Sequence, residues 1–224
     1  MFKLIILSLL FSLNSFAKKS LTELLAERSA QSASKIPPEV KTQFAKALQD
    51  LKETDIEKTS VRKGTQVPFF KIDKTPFKNY YSKKPVILKF YRGAWCPYCQ
   101  IELKHSETHK ASFEAKGYQV VILTPDTPKE IANFRKKHNI SLPIYQDQNN
   151  HIAKRFGIAF KLSKKIAKIY STFGINLKQS QGNSNNQLPL PGTYVINTQG
   201  QITYVFADVD YTKRLDPLEL LKAL

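Results

Sequence analysis

The chain has 224 residues, 42% of them hydrophobic and 24% charged, with a formal charge of +17. That is enough for one core plus an extension, and it is too apolar for a disordered chain. The lysines are scattered and no nucleic-acid motif accompanies them, which points to a solvated basic surface with no nucleic-acid partner. Two cysteines exclude a scaffold held by several disulfides.

In chain order, MFKLIILSLLFSLNSFA carries Lys3, an apolar run from Leu4 to Leu13, and Ser15-Phe16-Ala17. This is the layout of a signal peptide, so residues 1–17 are expected to be removed and the protein exported to a periplasmic or extracellular space. The apolar run is too short to span a bilayer, so no stable membrane insertion is expected. Residues 18–64 read as a helical extension and linker. Leu21, Leu24 and Leu25 repeat at helical spacing, Pro37-Pro38 break the run, and Val40, Phe44, Leu48 and Leu51 form a second stripe. Residues 65–224 read as the main domain.

Within it, PVILKFY (85–91) and QVVILT (119–124) have the composition of buried strands. A helix is predicted from Pro97 to about Lys110, and another opens with Thr127-Pro128-Lys129-Glu130 and runs to about His138. Leu142 to Tyr145 reads as a third strand. The tract QSQGNSNNQ (179–187) reads as a mobile polar loop. Residues 194–197 and 202–206 read as a hairpin, and Asp216 caps a closing helix. Alternating strands and helices with a late hairpin indicate an α/β sheet flanked by helices.

The chemistry concentrates in YRGAWCPYC (91–99), which holds both cysteines. Cys96 falls at the cap of a helix whose first residue is Pro97. There, unpaired amides and the helix dipole favour thiolate over thiol. Arg92 can add positive charge. Cys99 lies one turn on, more buried, so Cys96 is the expected nucleophile and Cys99 the resolving thiol. Trp95 and Tyr98 flank them. A disulfide between residues three apart constrains the unfolded chain little, so the pair reads as redox-active rather than architectural. The competing reading is copper or zinc handling by the dithiol. His105 and His109 share a helix face, but His105 lies roughly 13 Å along the axis from Cys96 at 1.5 Å per residue. That pair is expected to be solvated, and no metal site is expected. The disulfide chemistry requires no cofactor.

The segment from about Gly64 onward resembles the peroxiredoxin-like branch of the alkyl hydroperoxide reductase/thiol-specific antioxidant proteins, within the thioredoxin superfamily. The resemblance is carried by VPFF (67–70), FYRGAWCPYC (90–99), TPD (124–126), LPGTYVINTQGQITYVF (190–206) and DYTKRLDPLELL (210–221). It implies a thioredoxin-like fold. It also implies a cis-proline facing the cysteines at Pro191, with the Leu190 backbone against a bound substrate peptide; Pro189 competes for that assignment. The chain departs from the family at several positions. Gly93 stands where peroxide-reducing members have Thr or Ser, Lys89 stands where they have proline, and Pro191 stands where they have an activating arginine. Phe90 occupies the place of the buried Asp of thioredoxins. Two functions follow: thiol–disulfide exchange with a protein or small-molecule disulfide, or reduction of a hydroperoxide through a Cys96 sulfenic acid. A reductase or peroxidase role implies an exported disulfide reductase as electron donor.

Overall fold

The computed structural model describes residues 19–224, so the expected signal segment 1–17 lies outside the described residues. Helix α1 (Leu21–Lys35) begins at Ser20, whose hydroxyl accepts from the Glu23 amide while the Glu23 carboxylate accepts from the Ser20 amide, a reciprocal cap. Pro38 then opens α2 (Pro38–Glu53), and a single turn α3 (Ile56–Thr59) leads into the main domain. A short hairpin, β1 (Lys71–Ile72) and β2 (Thr75–Pro76), and the turn α4 (Lys78–Tyr81) precede β3 (Val86–Phe90).

The predicted helix after β3 divides into α5 (Pro97–Thr108) and α6 (Lys110–Ala115). Then come β4 (Gln119–Thr124), α7 (Pro128–His138) capped by Thr127, β5 (Ile144–Gln146) and α8 (His151–Arg155). A small hairpin, β6 (Ala159–Lys161) with β7 (Gln187–Pro189), brackets α9 (Lys164–Thr172) and α10 (Leu177–Gln181). The chain closes with β8 (Gly192–Ile196), β9 (Ile202–Ala207) and α11 (Pro217–Ala223).

The central sheet has the order β5-β4-β3-β8-β9. β3 pairs in parallel with β4 and antiparallel with β8, so the strand that leads to the cysteines is the middle one. All five residues of β3 are buried, as expected for a strand covered on both faces. One face packs Leu103, Phe113, Ile131 and Phe134 with the two cysteines, and the other packs Phe70, Phe77, Ile152 and Phe156. This is the thioredoxin-like α/β architecture.

α1 lies against α5, burying Leu21 and Leu25 in the cluster that contains Cys96 and Cys99. The Leu21 amide donates to Asp216 (3.0 Å), which also accepts from the Leu218 amide (2.8 Å) and so caps α11. One carboxylate thus ties the extension to the C-terminal helix. α2 packs against α9, with Phe44 edge-on to Tyr170.

The tract 179–187 differs from the expected mobile loop. α10 occupies its start, the Thr127 amide donates to the Ser180 carbonyl (2.8 Å), and Gln181 is buried and donates to the Gln187 carbonyl. The Ser180 and Gln181 side chains serve interior hydrogen bonds, which composition alone does not distinguish from solvation.

Candidate functional site: a buried dithiol between two arginines

β3 ends and the chain turns at Gly93, whose φ of +149° suits glycine. A Cβ there would run into the Trp95 indole and come within 2.9 Å of Asp126 Oδ1. The hydroxyl-bearing residue of peroxide-reducing relatives therefore has no room in this turn. Asp126, at the end of the TPD motif, clamps the turn. Its carboxylate accepts from the Ala94 amide (2.6 Å), the Tyr91 hydroxyl (3.1 Å) and the Ser180 hydroxyl (2.7 Å). Burial pushes its pKa up to about 6 against the pull of those donors.

The Cys96 amide donates to the Gly93 carbonyl (3.0 Å), which sets Cys96 at the cap of α5, with Pro97 as the first helical residue. Both cysteines are free thiols, and both are buried, Cys96 (1% exposed) as fully as Cys99 (0%). The expected difference in burial between the two is therefore absent. It packs in the same cluster as Tyr98, Trp95 and Tyr211.

Two guanidinium groups flank the pair. Arg92, 2% exposed, donates to the Tyr170 hydroxyl (2.6 Å) and lies 4.4 Å from the Tyr211 ring centre and 5.4 Å from that of Trp95. Trp95 packs edge-on against Tyr170. Arg214, from the DYTKR segment, donates to Cys99 Sγ (3.2 Å) and to Glu102 Oε2 (2.6 Å), and is fixed by the Tyr211 and Lys213 carbonyls. Glu102 Oε1 pairs with Lys89 Nζ (2.8 Å), which also donates to Thr193 Oγ1 (3.0 Å). Lys89, at the family's proline position, is thus a buried cation in the central strand.

Burial raises the pKa of Cys96, but the Cys99 thiol's hydrogen bond and the charges of Arg92 and Arg214 more than reverse this, bringing it down to about 6. Burial and the neighbouring Cys96 push Cys99 well up. These shifts favour the thiolate on Cys96 and the thiol on Cys99. The alkylation rate of Cys96 is therefore expected to stay on its plateau at pH 7–8 and to halve near pH 6, where a free thiol halves near about 8.5. Iodoacetamide kinetics of the parent protein across pH, with the alkylated cysteine identified by peptide mass, tests this; a midpoint above pH 8 contradicts it. The same shift has a stability sign. The unfolded chain holds the Cys96 proton to higher pH, so this thiolate's stabilisation is present in full above the unfolded pKa and is lost as pH falls through about 6.

Leu190 and Pro191 line a narrow, mostly apolar cleft shared with Arg92, Tyr170, Tyr211 and Phe44 of α2. They therefore sit beside the arginine next to the dithiol. The expected cis bond is not there: among the described residues no peptide bond is cis. Leu190 donates its amide to the Ile158 carbonyl (2.8 Å) and the chain runs on into β8, a path that the default trans isomer serves. The Tyr98 hydroxyl shares a hydrogen bond with Ser29 of α1 (3.2 Å). His105 is not solvated as expected. It is buried, with Nε2 3.9 Å from the Asp216 carboxylate. Among the described residues no group of three or more His, Cys, Asp or Glu is placed to hold a metal ion.

Sequence reading singled out the cysteines, Arg92, Trp95, Pro97 and Tyr98, and the structure brings them together. It missed Arg214, Glu102, Lys89 and Asp126. Arg214 and Asp126 stood within motifs that carry the resemblance, Lys89 was noted only for standing at the family's proline position, and Glu102 carried no signal.

The AhpC/TSA family model matches residues 63–205. Peroxiredoxin Bcp of Bacillus subtilis is 27% identical over 90 residues, 40% of this chain and 57% of that protein, so the chain spans less than two thirds of it. The thiol-disulfide oxidoreductase ResA of Bacillus subtilis is 22% identical over 153 residues, 66% of this chain and 69% of that one. Among solved structures, peroxidoxin BcpB of Mycobacterium tuberculosis superimposes with a TM-score of 0.52 at 21% identity, covering 68% of this chain and 91% of that one. With more than half of its residues matched in the expected order, the chain belongs to the AhpC/TSA family, in the peroxiredoxin-like branch of the thioredoxin superfamily.

Proposed function

We propose that the protein is an exported thiol–disulfide oxidoreductase that works through Cys96 and Cys99. The observation that carries this reading is the placing of Cys96 at the cap of α5 with Cys99 one turn on, where Arg214 donates to the Cys99 sulfur. The Cys96 thiolate attacks one sulfur of a disulfide RSSR, forming a Cys96–SR bond and releasing RS⁻. Cys99 then gives up its proton and attacks the Cys96 sulfur, which forms the Cys96–Cys99 disulfide and releases the second RS⁻. Because Cys96 is buried, its neighbours must part before any substrate reaches it, and a small disulfide asks for the least movement. Leu190 and Pro191 in the adjoining cleft offer the surface for the rest of the substrate.

Hydroperoxide reduction is the second reading. It is supported by the names of the relatives and by Arg92 beside Cys96. It lacks the hydroxyl donor that Gly93 displaces. Cys99→Ser separates the two, since it stalls the reaction on Cys96. Disulfide exchange is expected to leave a glutathione adduct after brief exposure to glutathione disulfide, and little sulfenic acid after equimolar hydrogen peroxide. Rapid sulfenic acid with no adduct would overturn the first reading. Export rests on residues 1–17. It predicts that protein recovered from the export compartment begins at Lys18, and recovery of uncleaved chain from the cytoplasm would refute it.

A further inference from the structure

We infer that Arg92 and Arg214 make Cys96–Cys99 an oxidising couple, stabilising the reduced site so that its disulfide is handed on to thiols rather than retained. This rests on the disulfide-exchange reading and adds a direction to it.

The argument is one of buried charge. Arg92 and Arg214 are 2% and 8% exposed, and Lys89 is 4% exposed. Against these three cations stands one carboxylate in contact, Glu102, bridging Lys89 and Arg214. The set carries two positive charges in excess. In the reduced protein the sulfur anion offsets part of that excess, and Arg214 donates directly to Cys99 Sγ. In the oxidised protein the neutral S–S bond removes the anion, while both guanidiniums stay buried. Among the described residues Arg92 is then left with Tyr170 and two aromatic faces, and its Nε has no hydrogen-bond partner. Asp126 is taken up by Ala94, Tyr91 and Ser180, and Asp216 by the Leu21 and Leu218 amides beside His105. Among the described residues neither carboxylate forms an ion pair with either arginine. Stabilising the reduced form of a dithiol raises its reduction potential.

With glutathione (GSH) as the reductant the chemistry balances. One GSH thiolate attacks Cys96 Sγ, the S–S bond breaks, and Cys99 leaves as a thiolate facing Arg214 and takes up a proton. A second GSH thiolate attacks the glutathione sulfur of the mixed disulfide, which releases glutathione disulfide and the Cys96 thiolate. Overall, the protein disulfide and two GSH give the protein with one thiolate and one thiol, one glutathione disulfide and one proton. Two electrons pass from glutathione to the protein. Arg214 acts here as a positioning residue, receiving the charge as it develops on Cys99.

The test is the reduced-to-oxidised ratio of the intact protein in glutathione buffers at pH 7, read by thiol trapping. Arg92→Met and Arg214→Met are each expected to shift the equilibrium toward the disulfide about tenfold, a fall of about 30 mV, whereas Arg214→Lys should stay within about threefold of the parent. Both Met variants at the parent ratio, or Arg214→Lys shifting as far as Arg214→Met, would overturn the inference while leaving disulfide exchange standing. A Cys96–Cys99 disulfide that forms at no glutathione ratio would overturn the exchange reading itself, and this inference with it. A readout free of variants is urea unfolding of the parent. The reduced form should unfold at higher urea than the oxidised form, and the opposite order contradicts the proposal.

Discussion

Glu102→Leu is expected to destabilise the fold by about 3–5 kcal/mol, the effect of leaving buried charges without their partner. Glu102 is 3% exposed and its two oxygens serve different cations, Lys89 through Oε1 and Arg214 through Oε2. Without it, among the described residues, Lys89 keeps only Thr193 Oγ1, and Arg214 keeps two backbone carbonyls and Cys99 Sγ. Lysine can respond by shedding its proton; arginine cannot. The double variant Lys89→Met/Glu102→Leu should therefore recover part of the loss, because it removes one charge of each sign. Urea unfolding of the reduced proteins reads both. A single variant within about 1 kcal/mol of the parent would mean that the triad does not hold this core together.

That triad also marks where the sequence stops being legible. The strand 85–91, the turn at Gly93 and the Cys96-Pro97 helix start are local, and each is dictated by nearby residues: a buried β-rich run, a backbone that suits glycine, a proline with no amide to satisfy. The Thr127 cap and the late hairpin are local in the same way. Arg214, by contrast, reaches Cys99 across 115 positions. The strand that holds Lys89 reads as buried, but nothing local names the lysine's partner; only the fold brings it to Glu102. The same holds for His105, buried beside Asp216, and for Ser180, whose polar tract suggested solvent but whose hydroxyl completes the Asp126 clamp. The trans Leu190–Pro191 bond is the converse case. There the family pattern suggested an isomer that the path from β7 into β8 does not use.

The other large effect concerns Cys96 itself. It is the thiol with the lowered pKa, at the positive end of α5, between two cations, and no third cysteine exists to take its place. Cys96→Ser should reduce exchange by at least about a thousandfold, the scale of losing a nucleophile. It should leave the fold intact, since oxygen for sulfur changes little volume. Trp95, the only tryptophan in the chain, adjoins Cys96 and packs in the same cluster, so its fluorescence should report the redox state of the pair. The decisive measurement is stopped-flow Trp95 fluorescence of the reduced protein, against glutathione disulfide and against hydrogen peroxide, with Cys96→Ser as the control. Glutathione disulfide reacting orders of magnitude faster than with a free thiol, peroxide reacting no faster than a free thiol, and both signals lost in the control would bear out an oxidoreductase on a peroxiredoxin-like frame. Fast peroxide and slow disulfide would contradict it and make the protein a peroxidase that works without the missing hydroxyl.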